Sequence, residues 1–207
     1  MKLMKNDLLL WMEKTNEKIQ ENKGYLTTLD QAIGDGDHGI NMARGFQEVV
    51  NKISIANYES ISDCLKDIAM ILLSKVGGAS GPLYGTAFLR MSNGIKGKQI
   101  VDKESFTTAI DEAINGMVQR GKAKVGDKTL LDVWLPVLKY LKESSYIDWN
   151  EFEQVAKLSM ESTKDLIAIK GRASYLKERS IGHLDPGSVS SYLLFQALSE
   201  VAREAEK

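Results

Sequence analysis

Apolar residues recur three and four positions apart along almost the whole chain, and alternating runs of Val, Ile and Thr are scarce. That spacing draws the buried stripe of an amphipathic helix, whereas a strand needs alternation. A first helix is expected from Asp7 to Asn22, with Asn6 as its N-cap and Gly24 as its stop. Leu8, Trp11, Met12 and Ile19 form its inner face. Further helices are expected over His38–Ile53 and Glu59–Lys75, and from Pro82, where a proline suits the first turn. The pattern continues over Lys103–Arg120, over Thr129–Glu143 with Pro136 inside, over Trp149–Ile169 capped by Asp148, and from Gly187 to Ala205. Pro136 should kink its helix or remove one hydrogen bond. Eight helices without a convincing strand predict an all-α fold with antiparallel neighbours. No linker, repeat or low-complexity tract divides residues 1–207, so a single domain is expected.

Glycines punctuate this pattern at Gly34–Gly39, Gly77–Gly85, Gly121–Gly126 and Gly182–Gly187. These are alternate links of the helix series. In an up-down bundle alternate links lie at one end, so four unusual loops are expected to share one rim. Composition narrows what that rim could bind. The net charge is −1, which removes the basic excess that nucleic-acid binding needs. Cys64 is the only cysteine, which excludes an internal disulfide and a cysteine-based zinc cage. A reducing cytoplasm fits, and the short apolar run at the N-terminus is too interrupted for a signal peptide or membrane span.

The first link, Leu29-Asp30-Gln31-Ala32-Ile33-Gly34-Asp35-Gly36-Asp37-His38-Gly39, crowds carboxylates together. Such groups repel unless solvated or bound to a hard cation, and Mg²⁺ prefers one or two carboxylates with phosphates and waters. An EF-hand is excluded. The twelfth position is Phe46 counted from Asp35; counted from Asp37 it is Glu48, but Met42 then occupies the obligatory glycine position. The plainer reading is a solvated turn in which Asp37 caps the next helix. The second link, Gly77-Gly78-Ala79-Ser80-Gly81-Pro82, combines small residues with a helix start and so resembles an anion site; close helix packing is the alternative. The third, Gly121-Lys122-Ala123-Lys124-Val125-Gly126-Asp127-Lys128-Thr129, is not a Walker A loop. Asp127 separates the second glycine from the lysine, and a helix precedes it. Its lysines suit phosphates or plain solvation. The fourth carries Arg172, Arg179, His183 and the Asp185-Pro186-Gly187 turn. Arginine is the planar partner of phosphate.

Together the strings LDQAIGDGDHGINMARGF, GGASGPLYGTAFLR, RGKAKVGDKTLLDVW and GRASYLKERSIGHLDPGS resemble the nucleotide-binding L subunit of bacterial dihydroxyacetone kinase, nearly end to end. The resemblance implies a closed barrel of eight amphipathic helices with ADP and two Mg²⁺ ions at one end. It implies Asp30, Asp35 and Asp37 as metal ligands and catalytic residues. It further implies a nucleotide site at His38, Gly39, Ile40, Asn41, Ala79, Ser80, Gly121, Leu130, Arg179, Asp185, Pro186 and Gly187. Leu130 stands where the family pattern carries methionine, a mild exchange. Such L subunits pass a phosphoryl group from Mg-bound ATP to dihydroxyacetone held on a separate K subunit. In the phosphotransferase-system version a phosphocarrier M subunit rephosphorylates ADP in place, and the short stand-alone chain resembles that version. Two other readings stay open on the same residues. One is a nucleotide-bound regulatory subunit that contacts a transcription regulator, and the other a metal-dependent hydrolase. A related keto-sugar is an alternative substrate.

Overall fold

The structure, a computed structural model, describes residues 1–206. The fold is all-α, with nine α-helices among the described residues. They are α1 (Lys5–Glu21), α2 (Lys23–Ile33), α3 (His38–Ile53), α4 (Ile61–Lys75), α5 (Ser80–Gly94), α6 (Lys103–Gly121), α7 (Leu131–Glu143), α8 (Trp149–Ser162) and α9 (Pro186–Ala205). Two 3-10 segments, Thr163–Asp165 and Arg172–Ser180, lie between α8 and α9. The one sheet among the described residues is a two-residue antiparallel pair, β1 (Lys2–Leu3) with β2 (Val101–Asp102).

The extra helix is α2. Gly24 does not stop α1. The break falls two residues earlier, at Asn22, and Gly24 lies inside the next helix. Asp30 is therefore a helical residue in the last turn of α2. Nor does Asn6 cap α1. Met4 holds the cap position, and its N–H donates to the Asp7 carboxylate at 2.8 Å. Helix α8 ends at Ser162, short of Ile169, because the chain turns through the first 3-10 segment into an extended stretch. Pro82 sits in the first turn of α5, where its missing N–H is not needed. Pro136 lies inside α7, where it withdraws one backbone donor.

Around the molecule α1 packs on α3, α3 on α4, α4 on α5, α5 on α6, α6 on α7, α7 on α8, α8 on α9, and α9 on α1. Helix α2 packs on α3 and α9. Between them lies one apolar core, with Trp134, Phe152 and Phe195 at its aromatic centre. Trp134 meets Phe195 edge-on with centroids 4.8 Å apart, and Phe152 meets Phe195 at 5.7 Å. Helix α5 runs from Ser80 at one end of the molecule to Gly94 at the other, about 22 Å at 1.5 Å per residue. The β1–β2 pair lies at the Gly94 end. No helix among the described residues is long and apolar enough to cross a membrane.

Candidate functional site

At the Ser80 end a cavity of about 830 Å³ opens, and all four glycine-bearing links line it. Its acidic floor is the α2–α3 turn. Each of Asp30, Asp35 and Asp37 offers a carboxylate oxygen within 4.8 Å of the others. The turn is held by one of its own acids. Asp30 Oδ2 accepts N–H bonds from Asp37 at 2.8 Å and His38 at 3.1 Å. Asp37 occupies the N-cap position of α3, but its side chain makes no capping bond. That carboxylate lines the cavity instead, contrary to the solvated-cap alternative. Asp35 Oδ2 lies 2.8 Å from Arg172 Nε, so a cation from the fourth link already faces this cluster.

His38 joins the acidic turn to the second link and to the core. Its Nδ1 lies 3.1 Å from Ser80 Oγ and its Nε2 lies 3.0 Å from Ser190 Oγ. Ser190 Oγ is 2.8 Å from the Tyr84 hydroxyl, which also lies 2.7 Å from Ser191 Oγ. Ser191 Oγ accepts from Trp134 Nε1 at 3.0 Å. This buried chain of polar groups fixes the imidazole. Burial pushes the His38 pKa down to about 4, against the opposing pull of Asp30 and a Pro186 backbone bond. The ring is therefore neutral at pH 7, with one nitrogen donating and the other accepting. Beside it no side chain caps α5, so the first turn of that helix presents uncapped backbone donors to the cavity.

The third and fourth links form the opposite wall. Asp132 accepts from the Thr129 N–H at 2.7 Å and from the Gly126 N–H, which folds the third link onto the start of α7. Burial raises the Asp132 pKa. Asp185 caps α9 by accepting from Ser188 N–H at 2.6 Å, and burial pushes its pKa up to about 7. Leu83, Met117, Ala123, Leu130 and Ile169 add apolar surface to the same wall.

Of the residues expected from sequence, Asp30, Asp35, Asp37, His38, Ala79, Ser80, Gly121, Leu130, Asp185, Pro186 and Gly187 all line the cavity. Gly39, Ile40, Asn41 and Arg179 do not. Gly39 is buried where α3 crosses α2, and a Cβ there would run into the Lys23 carbonyl oxygen and the Thr27 nitrogen. Ile40 is exposed. Asn41 accepts from Arg44 at 2.8 Å and packs against Gly77. Arg179 is exposed, beyond a kink at Lys177. Arg172, seven positions earlier, takes the place at the acidic turn. The lysines of the third link suit phosphates or solvation by sequence alone; Lys128 is buried on the cavity wall and is not solvated.

The DAK2 domain model matches residues 32–200. The chain belongs to the DAK2 domain family. This DAK2 chain is 50% identical over 190 residues to the PEP-dependent dihydroxyacetone kinase 1 ADP-binding subunit DhaL of Listeria innocua, covering 92% of this chain and 93% of that one. It is 40% identical to the corresponding Escherichia coli subunit, over 99% of this chain and 100% of the other. Among solved structures, the C. freundii dihydroxyacetone kinase with AMP-PNP and Mg²⁺ superposes with a TM-score of 0.72 at 23% identity. That match covers 92% of the DAK2 chain and 33% of the larger protein, and it shows the shared helical fold.

Proposed function

We propose that the chain is the nucleotide-binding subunit of a phosphoenolpyruvate-dependent dihydroxyacetone kinase. It would carry ADP and ATP with two Mg²⁺ ions, deliver a phosphoryl group to dihydroxyacetone on a separate K subunit, and have its ADP rephosphorylated in place by a phosphocarrier M subunit. One observation carries the reading: the three-carboxylate turn lies on the floor of a cavity walled by the links at Gly34–Gly39, Gly77–Gly85, Gly121–Gly126 and Gly182–Gly187. The names of the L. innocua and E. coli relatives support it. In the same reading the circuit of helices from α1 through α3 and back by α9 is a closed eight-helix barrel, with α2 as an inserted rim helix. The chain is then one nucleotide-binding domain working in the cytoplasm.

The donor set fits Mg²⁺. It consists of hard carboxylate oxygens close together, and Asp35 is already paired with a guanidinium, a cation of another kind. Mg²⁺ bound by Asp30, Asp35 and Asp37 supplies neutralisation of phosphate charge, the main need of phosphoryl transfer. The protein groups do the positioning. Asp30 holds the turn by its two backbone bonds and so aims Asp37 and Asp35 at one point. The uncapped start of α5 offers N–H donors and a positive dipole end to phosphate oxygens. Neutral His38 orients the Ser80 hydroxyl beside them. Arg172 adds a planar positive group. Leu130, Leu83 and Met117 form an apolar face suited to a purine base. No general base is assigned on this chain, because the acceptor hydroxyl is brought by the K subunit.

The test is direct. The purified chain should retain adenine nucleotide and gain thermal stability from ADP only with Mg²⁺. Mixed with K and M subunits of a relative, it should support phosphoenolpyruvate-dependent consumption of dihydroxyacetone. Absence of bound nucleotide together with absence of Mg²⁺-dependent stabilisation would sink the reading.

A further inference from the structure

Between α8 and α9 the chain leaves the body of the molecule near Leu166 and returns at Ser180, and this excursion builds one cavity wall from Ile169 to Tyr175. Lys128 lies at its neck. The ammonium Nζ donates to the Leu166 carbonyl at 3.1 Å and to the Ser180 carbonyl at 2.7 Å, one on each side of the opening. Two further bonds close the same neck. Ser180 Oγ accepts from Ala168 N–H at 2.9 Å, and the carbonyl of Asp127, next to Lys128, accepts from Ile169 N–H at 3.1 Å.

The lysine is unusual on three counts. It is almost fully buried, yet among the described residues no carboxylate lies within ion-pair distance of it. Its charge is met by carbonyl dipoles and by the longer-range fields of Asp185 and Asp165, while burial lowers its pKa. Its backbone has φ of 61°, a left-handed conformation that a side chain makes costly. Local stability alone favours an apolar side chain or a glycine at such a position.

Beyond the neck the Arg172–Ser180 segment packs on α2, but polar ties are few. Among the described residues, Arg172 to Asp35 is the one hydrogen bond or ion pair that residues 170–179 make to another part of the chain. Both side chains are substantially exposed, and exposed pairs hold weakly. The neck, together with the packing on α2, therefore sets where Arg172 stands. We infer that Lys128 is a positioning residue for the nucleotide site: its ammonium clamps the neck of the 166–180 excursion and so keeps Arg172 facing the acidic turn. This rests on the nucleotide-binding reading above.

The test is a double-mutant cycle with a local readout. In nucleotide-free Lys128→Met, amide hydrogen exchange should accelerate at residues 168–181 and stay unchanged in α4 and α5. Mg-ADP affinity should fall about tenfold in Lys128→Met, the loss of roughly one strong polar contact. The same lysine change made in Arg172→Ala should cost much less, because the clamp acts through that arginine. Lys128→Arg, which keeps charge and donors, should restore part of the affinity. Unchanged exchange at 168–181, or a tenfold loss that persists in the Arg172→Ala background, would overturn the inference. If Lys128→Met does not fold, Ser180→Ala opens the same neck and carries the same cycle. Wild-type protein that fails to bind Mg-ADP overturns the nucleotide reading itself, whereas exchange in the nucleotide-free protein reports on the clamp separately.

Discussion

Asp30 and Asp35 carry the same carboxylate but are tied into the chain differently, and their replacements should part company. Asp30 is buried and accepts two backbone N–H bonds from the turn, whereas Asp35 is half exposed and meets only the Arg172 side chain. Asp30→Ala should lower unfolding stability by about 2–3 kcal/mol, since a charged acceptor of buried donors is lost. Asp35→Ala should change stability by less than about 1 kcal/mol. Both should abolish Mg²⁺-dependent stabilisation by ADP. Urea titrations with and without Mg-ADP separate the two effects, and equal destabilisation by both changes would contradict the geometry. Asp185 offers a pH test. Its pKa is pushed up to about 7 by burial, so the folded protein binds this proton more tightly than the unfolded chain. The contribution is fully present below the unfolded value of 3.8 and is lost as pH rises toward 7. Asp185→Asn keeps an acceptor for the Ser188 N–H and removes the charge. The variant should match wild type at pH 4 and melt higher at pH 8, by roughly 2–4 °C for each kcal/mol regained. A lower melting point at pH 8 would show that the carboxylate is wanted charged.

At the scale of elements, two of the places where the sequence pattern misled share a cause: the local signal was real but belonged to the surface. Gly24 looks like a helix stop, yet a Cβ there would meet nothing within 4 Å and the residue continues α2. Ile167 and Ile169 seem to extend α8, but both are exposed and Ile169 lines the cavity. Apolar period cannot tell a core stripe from a cavity wall. The remaining helices were legible because their inner faces bury at nearly all the positions the spacing marks, as with Ile61, Leu65, Ile68 and Leu72 of α4, where Leu73 alone of the stripe is only partly buried. The glycines give a paired prediction. Gly24→Ala should stabilise by about 0.5–1 kcal/mol, the helix-propensity gain at an open site. Gly39→Ala should destabilise by about 1–3 kcal/mol, because the new methyl meets α2 backbone and forces α2 and α3 apart. It should also weaken Mg-ADP binding, since that crossing carries Asp30 beneath the turn. Denaturant unfolding of the two variants decides it, and a neutral Gly39→Ala would mean that the helices part freely.

Across the whole molecule, the shared rim could be read from sequence because alternate links of an up-down series must lie together, and the acidic turn, Ser80 and the Asp185 turn do so. What could not be read was which side chain of a link faces inward. Arg172 and Arg179 lie in one 3-10 segment, and the kink at Lys177 that separates them leaves no mark in the pattern. The pattern leaves Lys128 between phosphate contact and solvation, and neither reading anticipates the Leu166 and Ser180 carbonyls brought to it from distant sequence. The two ends of the molecule differ in what holds them. The Gly94 end is closed by apolar packing of Leu3, Val101 and Phe106 and by the β1–β2 pair. The rim end surrounds a cavity of about 830 Å³ and gathers like charges in its floor. Binding free energy for Mg-nucleotide should therefore act as folding free energy at the rim. At a ligand concentration one hundred times Kd the gain is about 2.7 kcal/mol. For a chain of this size that corresponds to roughly 5–11 °C in Tm. Stripping Mg²⁺ with a chelator should remove that gain. It should also speed amide exchange in the acidic turn, the Gly77–Ser80 link and the 166–180 excursion, while the Gly94 end keeps its protection. Uniform loss of protection over both ends would show that the cavity is coupled to the entire core and that the rim is not a separate unit of stability.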